Sequence, residues 1–344
     1  MTAAERFLVT GALGCIGAWT VRALAREGTP VVAFDLGSDQ RRLAQIMSAD
    51  ELAAVDFVVG DITDLASLQR TLDERGITNV VHLAALQVPF CRADPPLGAL
   101  VNVVGTVNLF EAVKRRGGLS TPVVYTSSIG MFEAADEDPS THRLEESADG
   151  HPTTHYGVYK RANEGNARVY ALDDGIASIG LRPMTVYGVG RDQGMTSTPT
   201  TAIAAAVLGR PYRISFGGTT LFQYAEDVAA TLLAASRSSL SGAHVFNLGG
   251  SSVDIPAWIA AIEEAVPEAE GTITMADTRL PFPSEIAHDT LAAALGPVPV
   301  TPYRDGIRAT VELLRRLDAD GRLVGTQQGL PAEAPSPAQA EAAR

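Results

Sequence analysis

From Phe7 to Arg182, short runs of apolar and β-branched residues alternate with longer segments whose apolar positions recur at helical spacing. The runs predict strands at 7–10, 31–35, 56–59, 79–83, 122–126 and 177–182. The segments between them predict helices at 15–27, 40–48, 64–75, 97–116 and 156–174. Runs such as Val80-Val81-His82-Leu83 are apolar nearly throughout rather than alternating, which fits strands buried on both faces of a parallel sheet. Repetition of this kind folds as an α/β domain with a doubly wound parallel sheet, whose ligands lie at the carboxyl ends of the strands. After Pro183 the rhythm breaks. Gly188, Gly190, Gly194 and Pro199, among several Thr and Ser, make a long loop, and loops of that length in compact domains carry function or stay disordered. A helix at 199–208, a short strand near 212–216, a helix at 225–237 and a strand at 244–248 follow. The pattern predicts a dinucleotide-type domain of 1–183 plus about 217–250, and a smaller C-terminal α/β substrate domain of about 184–216 plus 251–325. The Ala/Pro/Glu-rich end, with no apolar face, predicts a disordered tail at 326–344.

Composition narrows the partners. A length of 344 residues suits about two domains, and a net charge of −13 argues against a duplex nucleic acid or an anionic membrane surface. Short basic runs such as Arg41-Arg42 and Lys114-Arg115-Arg116 read as helix ends and solvated faces. The two cysteines, Cys15 and Cys91, have no pairing or metal-binding spacing, so no metal is expected. Met1 to Arg6 lacks a basic region followed by an apolar core, and no apolar run is expected to approach a membrane span. The expectation is a cytoplasmic protein acting on a small molecule.

Two stretches carry chemistry. In Thr10-Gly11-Ala12-Leu13-Gly14-Cys15-Ile16-Gly17, a strand gives way to a glycine turn and a helix. Gly11 permits the tight turn, Gly14 lets backbone approach a pyrophosphate, and Gly17 lets helix and strand pack closely. The N–H groups at the helix start, from Cys15 onward, are then free for phosphate, and the helix position would lower the Cys15 thiol pKa. The second strand ends at Asp35, within reach of adenosine ribose hydroxyls. Further on, Tyr156 and Lys160 stand at i and i+4 on one helix face. An ammonium beside a phenol favours the phenolate, so this tyrosine is suited to exchange a proton with a carbinol. The fifth strand delivers Ser127-Ser128 to the same sheet edge, where a hydroxyl can hold the reacting oxygen.

These motifs, in this order and spacing, resemble the extended short-chain dehydrogenase/reductases, the NAD-dependent epimerase/dehydratase group, over about 7–245. Gly60-Asp61-Ile62, His82-Leu83-Ala84-Ala85, Asn102-Val103-Val104-Gly105-Thr106, Thr126-Ser127-Ser128, Leu181-Arg182-Pro183 through Gly188, and Tyr224-Ala225-Glu226-Asp227-Val228-Ala229 match further family segments. The resemblance implies a Rossmann domain holding NAD through Gly11, Gly14, Cys15, Ile16, Gly17, Asp35, Asp61, Ile62, Leu83, Ala84, Ala85, Asn102, Thr126, Tyr156, Lys160 and Pro183. It implies Tyr156 as acid/base, Lys160 as ribose ligand and pKa-lowering neighbour, and Ser128 as holder of the reacting oxygen. Asp35 favours NAD over NADP, with Arg41 and Arg42 the residues that bear on that choice. A homodimer pairing the helices near 97–116 and 156–174 is also implied.

Two departures bear on substrate. Relatives that act on nucleotide sugars carry an Asn where this chain has Thr185, and an Arg shortly before the Tyr224 element, where Gly217–Gln223 holds no basic residue. A diphosphate wants charge-assisted donors, and Arg191, Arg210, Arg213 or Arg279 would have to replace them. Gln87, Ser128, Thr185 and Thr196 offer neutral polar groups instead, suiting a polyol, aldose or sugar acid. The first reading is therefore an NAD-dependent dehydrogenase of a small carbohydrate, sugar acid or hydroxy-acid. The second is a nucleotide-sugar epimerase or dehydratase with transiently reduced NAD, and the third a non-catalytic NAD(H) sensor.

Overall fold

The computed structural model describes residues 5–137 and 143–331. The six early strands form as β1 (Phe7–Thr10), β2 (Val31–Asp35), β3 (Asp56–Val59), β4 (Asn79–His82), β5 (Val123–Thr126) and β6 (Ser178–Arg182). Beyond them lie β7 (Thr185–Tyr187), β8 (Tyr212–Ile214), β9 (Thr219–Tyr224), β10 (Ala243–Asn247), β11 (Ser251–Asp254) and β12 (Ile273–Met275). The main sheet runs β10-β6-β5-β4-β1-β2-β3, seven strands, all parallel. β1 pairs on one side with β2 (Leu8 opposite Val32) and on the other with β4 (Leu8 opposite Val80). The winding reverses between β1 and β4, which opens a crevice at their carboxyl ends.

Helices cover both faces. Cys15–Arg26 and Ala225–Ser236 pack together on one, and Leu65–Glu74, Gly105–Arg115 and His155–Asp174 cover the other. The first core does not stop at the sheet. Trp19 meets Tyr224, Tyr224 meets Tyr187, and Tyr187 packs edge-on to Trp258, which stacks on Phe222. Trp19 and Trp258 are fully buried, and cutting either back to alanine costs about 3–5 kcal/mol. The second unit therefore shares the apolar core of the first. Its small sheet, β11-β9-β7, uses β9, so residues 219–224 belong with it rather than with the dinucleotide domain as expected. Strand β10 does pair with β6 in the main sheet.

Other boundaries also move. Short helices Ala49–Ala53 and Val88–Ala93 occupy stretches read as connections. Ser48 caps the first of these reciprocally with Glu51. The helix expected at 97–116 begins at Pro95 and widens into a π-turn over Leu100–Val104. Against the expectation that no run approaches a membrane span, Pro95–Arg115 has the length and composition of one, with 44% of its most apolar window buried against the protein. The first residues of the tail expected from 326 are ordered against the protein. Gly325–Gln328 forms a 3-10 turn, Gln328 and Leu330 are buried, and the remainder, 332–344, lies outside the described residues.

Candidate active site

A cleft of about 610 Å³ opens at the carboxyl ends of β1, β2, β4 and β5. Its floor is glycine. Gly11 has φ +69°, and a side chain there would meet the Ala84 backbone at 2.6 Å; one on Gly17 would meet the Gly11 carbonyl at 2.2 Å. Gly14 caps helix Cys15–Arg26 with no side-chain hydrogen bond of its own, which leaves the first N–H groups of that helix facing the cleft. Asp35 accepts from Leu13 N (2.9 Å) and from Gly37 N (3.4 Å), so its carboxylate is fixed at the cleft edge. Asp61, Ile62, Leu83, Ala84, Ala85, Thr126, Tyr156, Lys160 and Pro183 line the same space, together with Cys15 and Ile16.

The two arginines beside Asp35 are committed elsewhere. Arg42 donates through Nε and Nη2 to Asp192 Oδ1 (3.2 and 2.7 Å) and through Nη1 to the Leu13 carbonyl (3.0 Å). Arg41 reaches the other Asp192 oxygen at 3.3 Å. This clasp ties the glycine turn to the loop after β7 across the cleft, and it leaves the Asp35 carboxylate at the cleft edge unpaired with either arginine.

The proton machinery stands at the other end. Thr154 caps helix His155–Asp174 by accepting from Gly157 N, which brings Tyr156 and Lys160 out on one face of the first turn. The Tyr156 phenol hydrogen-bonds to Ser128. Lys160 Nζ lies 5.5 Å from the Tyr156 ring centre and donates to the Thr126 carbonyl (2.7 Å). Burial pushes the ammonium down to about 8. The phenol behaves otherwise than expected from Lys160 alone. Burial raises its pKa, the Ser128 hydrogen bond lowers it, and the cation acting on it is Arg191. Burial also reverses the expectation for Cys15. Its thiol rises to about 11 despite the helix N-terminus and the nearby Arg191 and Arg42, and that of buried Cys91 rises too.

Three expected contacts are not among the residues lining the cleft. Ser128 is one: its hydroxyl accepts from Gly130 N (2.9 Å), and its neighbour Ser127 lines the cleft instead. Asn102, in the π-turn, spends its amide on the Leu86 backbone (Oδ1 from Leu86 N 2.7 Å, Nδ2 to Leu86 O 2.9 Å). Its carbonyl accepts from Thr106 and Asn163. It thus fixes the wall after β4 from behind. Thr185 is fully buried, its hydroxyl 2.9 Å from that of Thr220. Gln87 does line the cleft, while Thr196 meets it through Arg191, whose Nη2 donates to its hydroxyl (3.1 Å).

Buried polar side chains support the site from within. His82 bridges Thr10 (2.7 Å) and Thr106 (3.0 Å), and burial holds its pKa down to about 3, so it is a neutral strut. Behind Ser127, Glu164 and Arg182 form a bidentate buried pair, and Ser127 donates to Glu164 rather than to the cleft. The spacing of those side chains carries no motif; only the fold brings them together.

The glycine floor that a Cβ would fill, the unpaired helix start and the Asp35 carboxylate fit a dinucleotide with an unphosphorylated ribose. The comparisons agree. The model of the NAD-dependent epimerase/dehydratase family matches residues 7–249. The chain is 31% identical over 320 residues to a UDP-glucose 4-epimerase of Mycolicibacterium smegmatis, covering 90% of this chain and 98% of that one. Among solved structures it is similar to the Thermus thermophilus UDP-glucose 4-epimerase in complex with NAD (27% identity, TM-score 0.75, 90% and 99% coverage). It also shares the fold of a threonine dehydrogenase from Cupriavidus necator (22% identity, TM-score 0.75, 89% and 99% coverage).

Proposed function

The chain belongs to the NAD-dependent epimerase/dehydratase family, and from that premise we propose that it oxidises a hydroxyl of a small carbohydrate, sugar acid or hydroxy-acid. NAD, when bound, supplies the hydride acceptor. It would be held by the glycine floor, the start of helix Cys15–Arg26, Asp35 and Lys160. Tyr156 Oη takes the proton of the reacting hydroxyl, and Ser128 holds that oxygen beside it. Lys160, anchored on the Thr126 carbonyl, keeps a positive charge next to the ring face. The observation that carries the choice of substrate size is the Thr185–Thr220 pair. At positions where diphosphate-binding relatives place donors, two hydroxyls satisfy each other inside the protein and offer nothing to a ligand.

The test is absorbance at 340 nm with purified protein, NAD and a panel of polyols, aldoses, sugar acids and hydroxy-acids beside UDP-, GDP- and dTDP-sugars. Steady NADH formation on a small substrate supports the proposal. A nucleotide sugar converted with no NADH accumulating overturns it. That second reading is favoured by the M. smegmatis epimerase relative and by Arg279, which lies against Gly218 near the missing donor. We further propose a cytoplasmic homodimer through helices Gly105–Arg115 and His155–Asp174. Val158, Val169 and Leu172 are exposed at helical spacing on the latter, and Val104 is exposed at the start of the former. Sedimentation of Leu172→Glu against wild type tests it, a monomer being the expected variant species.

A further inference from the structure

We propose that Arg191 seats a carboxylate of the substrate, which makes the substrate a small hydroxy-acid rather than a neutral polyol. The inference rests on the dehydrogenase reading above. Arg191 follows the turn after β7 and lines the cleft, its charge felt both at Tyr156 and at Cys15. Its Nη2 is held by the Thr196 hydroxyl, which fixes the direction of the fork, yet its Nε is buried with no hydrogen-bond partner. The neighbouring carboxylate, Asp192, is already taken by Arg41 and Arg42, so the Arg191 charge has no acid paired with it among the described residues. A guanidinium on a cleft wall with one nitrogen unpaired and no acid beside it suits an anionic ligand group.

A second orphan lies beside it. Gln87 Oε1 is buried and unpartnered. Gly194, with φ +100°, fits between the two. A side chain there would strike Gln87 Oε1 at 2.3 Å and come within 3.3 Å of Arg191 Nη2. Gly194 thus packs directly on both side chains, and Gln87 and Arg191, which both line the cleft, bring one carbonyl acceptor and one cationic fork to the same part of its wall. A carboxylate matches the fork, and a hydroxyl or ammonium on the adjacent carbon matches the Gln87 oxygen. Tyr156 feels the Arg191 charge, so the anion seat and the reacting hydroxyl belong to one small molecule.

The experiment pairs each C3–C6 hydroxy-acid or sugar acid with its neutral amide or polyol and follows NADH for wild type, Arg191→Lys and Arg191→Met. Binding of malonate to the NAD complex is measured by calorimetry on the same proteins. The expected result is at least about 100-fold higher kcat/KM for an acid than for its neutral partner. Arg191→Met should lose that preference mainly through KM and lose malonate binding, with NAD affinity kept within about twofold, and Arg191→Lys should recover part of both. Equal turnover of neutral partners, or an unchanged KM for the acid in Arg191→Met, overturns the carboxylate seat and leaves the dehydrogenase standing. Conversion of nucleotide sugars without NADH defeats both. Silence on every acid, with no malonate bound by wild type, also overturns the seat.

Discussion

Along β1, β2 and β4 the cleft is walled by backbone: glycines where no Cβ fits, a helix start with free N–H groups, and a single carboxylate held by main-chain donors. Across from it, the segment after β7 presents side chains: an arginine with an unsatisfied nitrogen, an aspartate clasped by two arginines from the other wall, and a threonine hydroxyl that holds the fork. The first wall reads a ligand common to a whole family and tolerates almost no change of shape. On the function proposed above, the second would meet the substrate, and a change there is expected to alter which molecule is accepted.

The contrast can be broken most forcefully at the catalytic tyrosine. Tyr156→Phe should lower kcat by about 10²–10⁴-fold with NAD affinity, followed by protein fluorescence, unchanged. Turnover at the wild-type rate would remove Tyr156 from the mechanism. On the backbone wall, Gly17→Ala places a methyl 2.2 Å from the Gly11 carbonyl, and NAD binding should weaken by at least about tenfold because the turn must open. Normal titration of that variant with NAD would mean the turn is not the binding element.

Lys160 tests the cost of the chemistry. Burial holds its ammonium at about 8 against an ordinary 10.5. Below pH 8 both folded and unfolded chains carry the proton, and the full penalty of the buried charge applies. Between 8 and 10.5 the unfolded chain keeps the proton and the folded chain has lost it, so wild-type stability rises with pH through that window. Lys160→Met should be nearly inactive, yet at pH 7 more stable by up to roughly 3 kcal/mol, less the lost Thr126 hydrogen bond. Its lead in denaturant midpoint should shrink toward pH 10.5; a lead that is constant with pH would contradict the assignment. Across the walls, Asp192→Asn opens the clasp, and stopped-flow NADH release should speed up by about three- to tenfold. The smallest effect belongs to Thr185→Val with Thr220→Val. Removing both partners of a buried hydrogen bond leaves nothing unsatisfied, and KM should stay within about twofold of wild type; a large rise would place Thr185 at the substrate.

Legibility in the sequence follows the same division. The six early strands, the glycine turn, Asp35 and the Tyr156–Lys160 face depend on local spacing, so the chain order displays them. The small sheet of β7, β9 and β11 depends on pairings between residues 29 to 37 positions apart, such as Ser251 with Phe222 and Thr185 with Phe222, and its strands are only three to six residues long. Asn102 illustrates the middle case. Its motif was readable, but the π-turn that aims its amide at Leu86 rather than at the cleft was not. The same holds for the phenol of Tyr156. The i, i+4 lysine is visible in sequence, whereas the burial that decides the direction of its shift, and the Ser128 and Arg191 contacts that oppose it, are products of the fold.

The two thiols have a practical bearing. With Cys15 and Cys91 both driven toward the protonated form, neither is a ready target for maleimides or peroxide at neutral pH. A dye could be attached at one introduced surface cysteine without first stripping out the native pair, and opening and closing of the clasp could be watched by energy transfer in an otherwise unaltered enzyme.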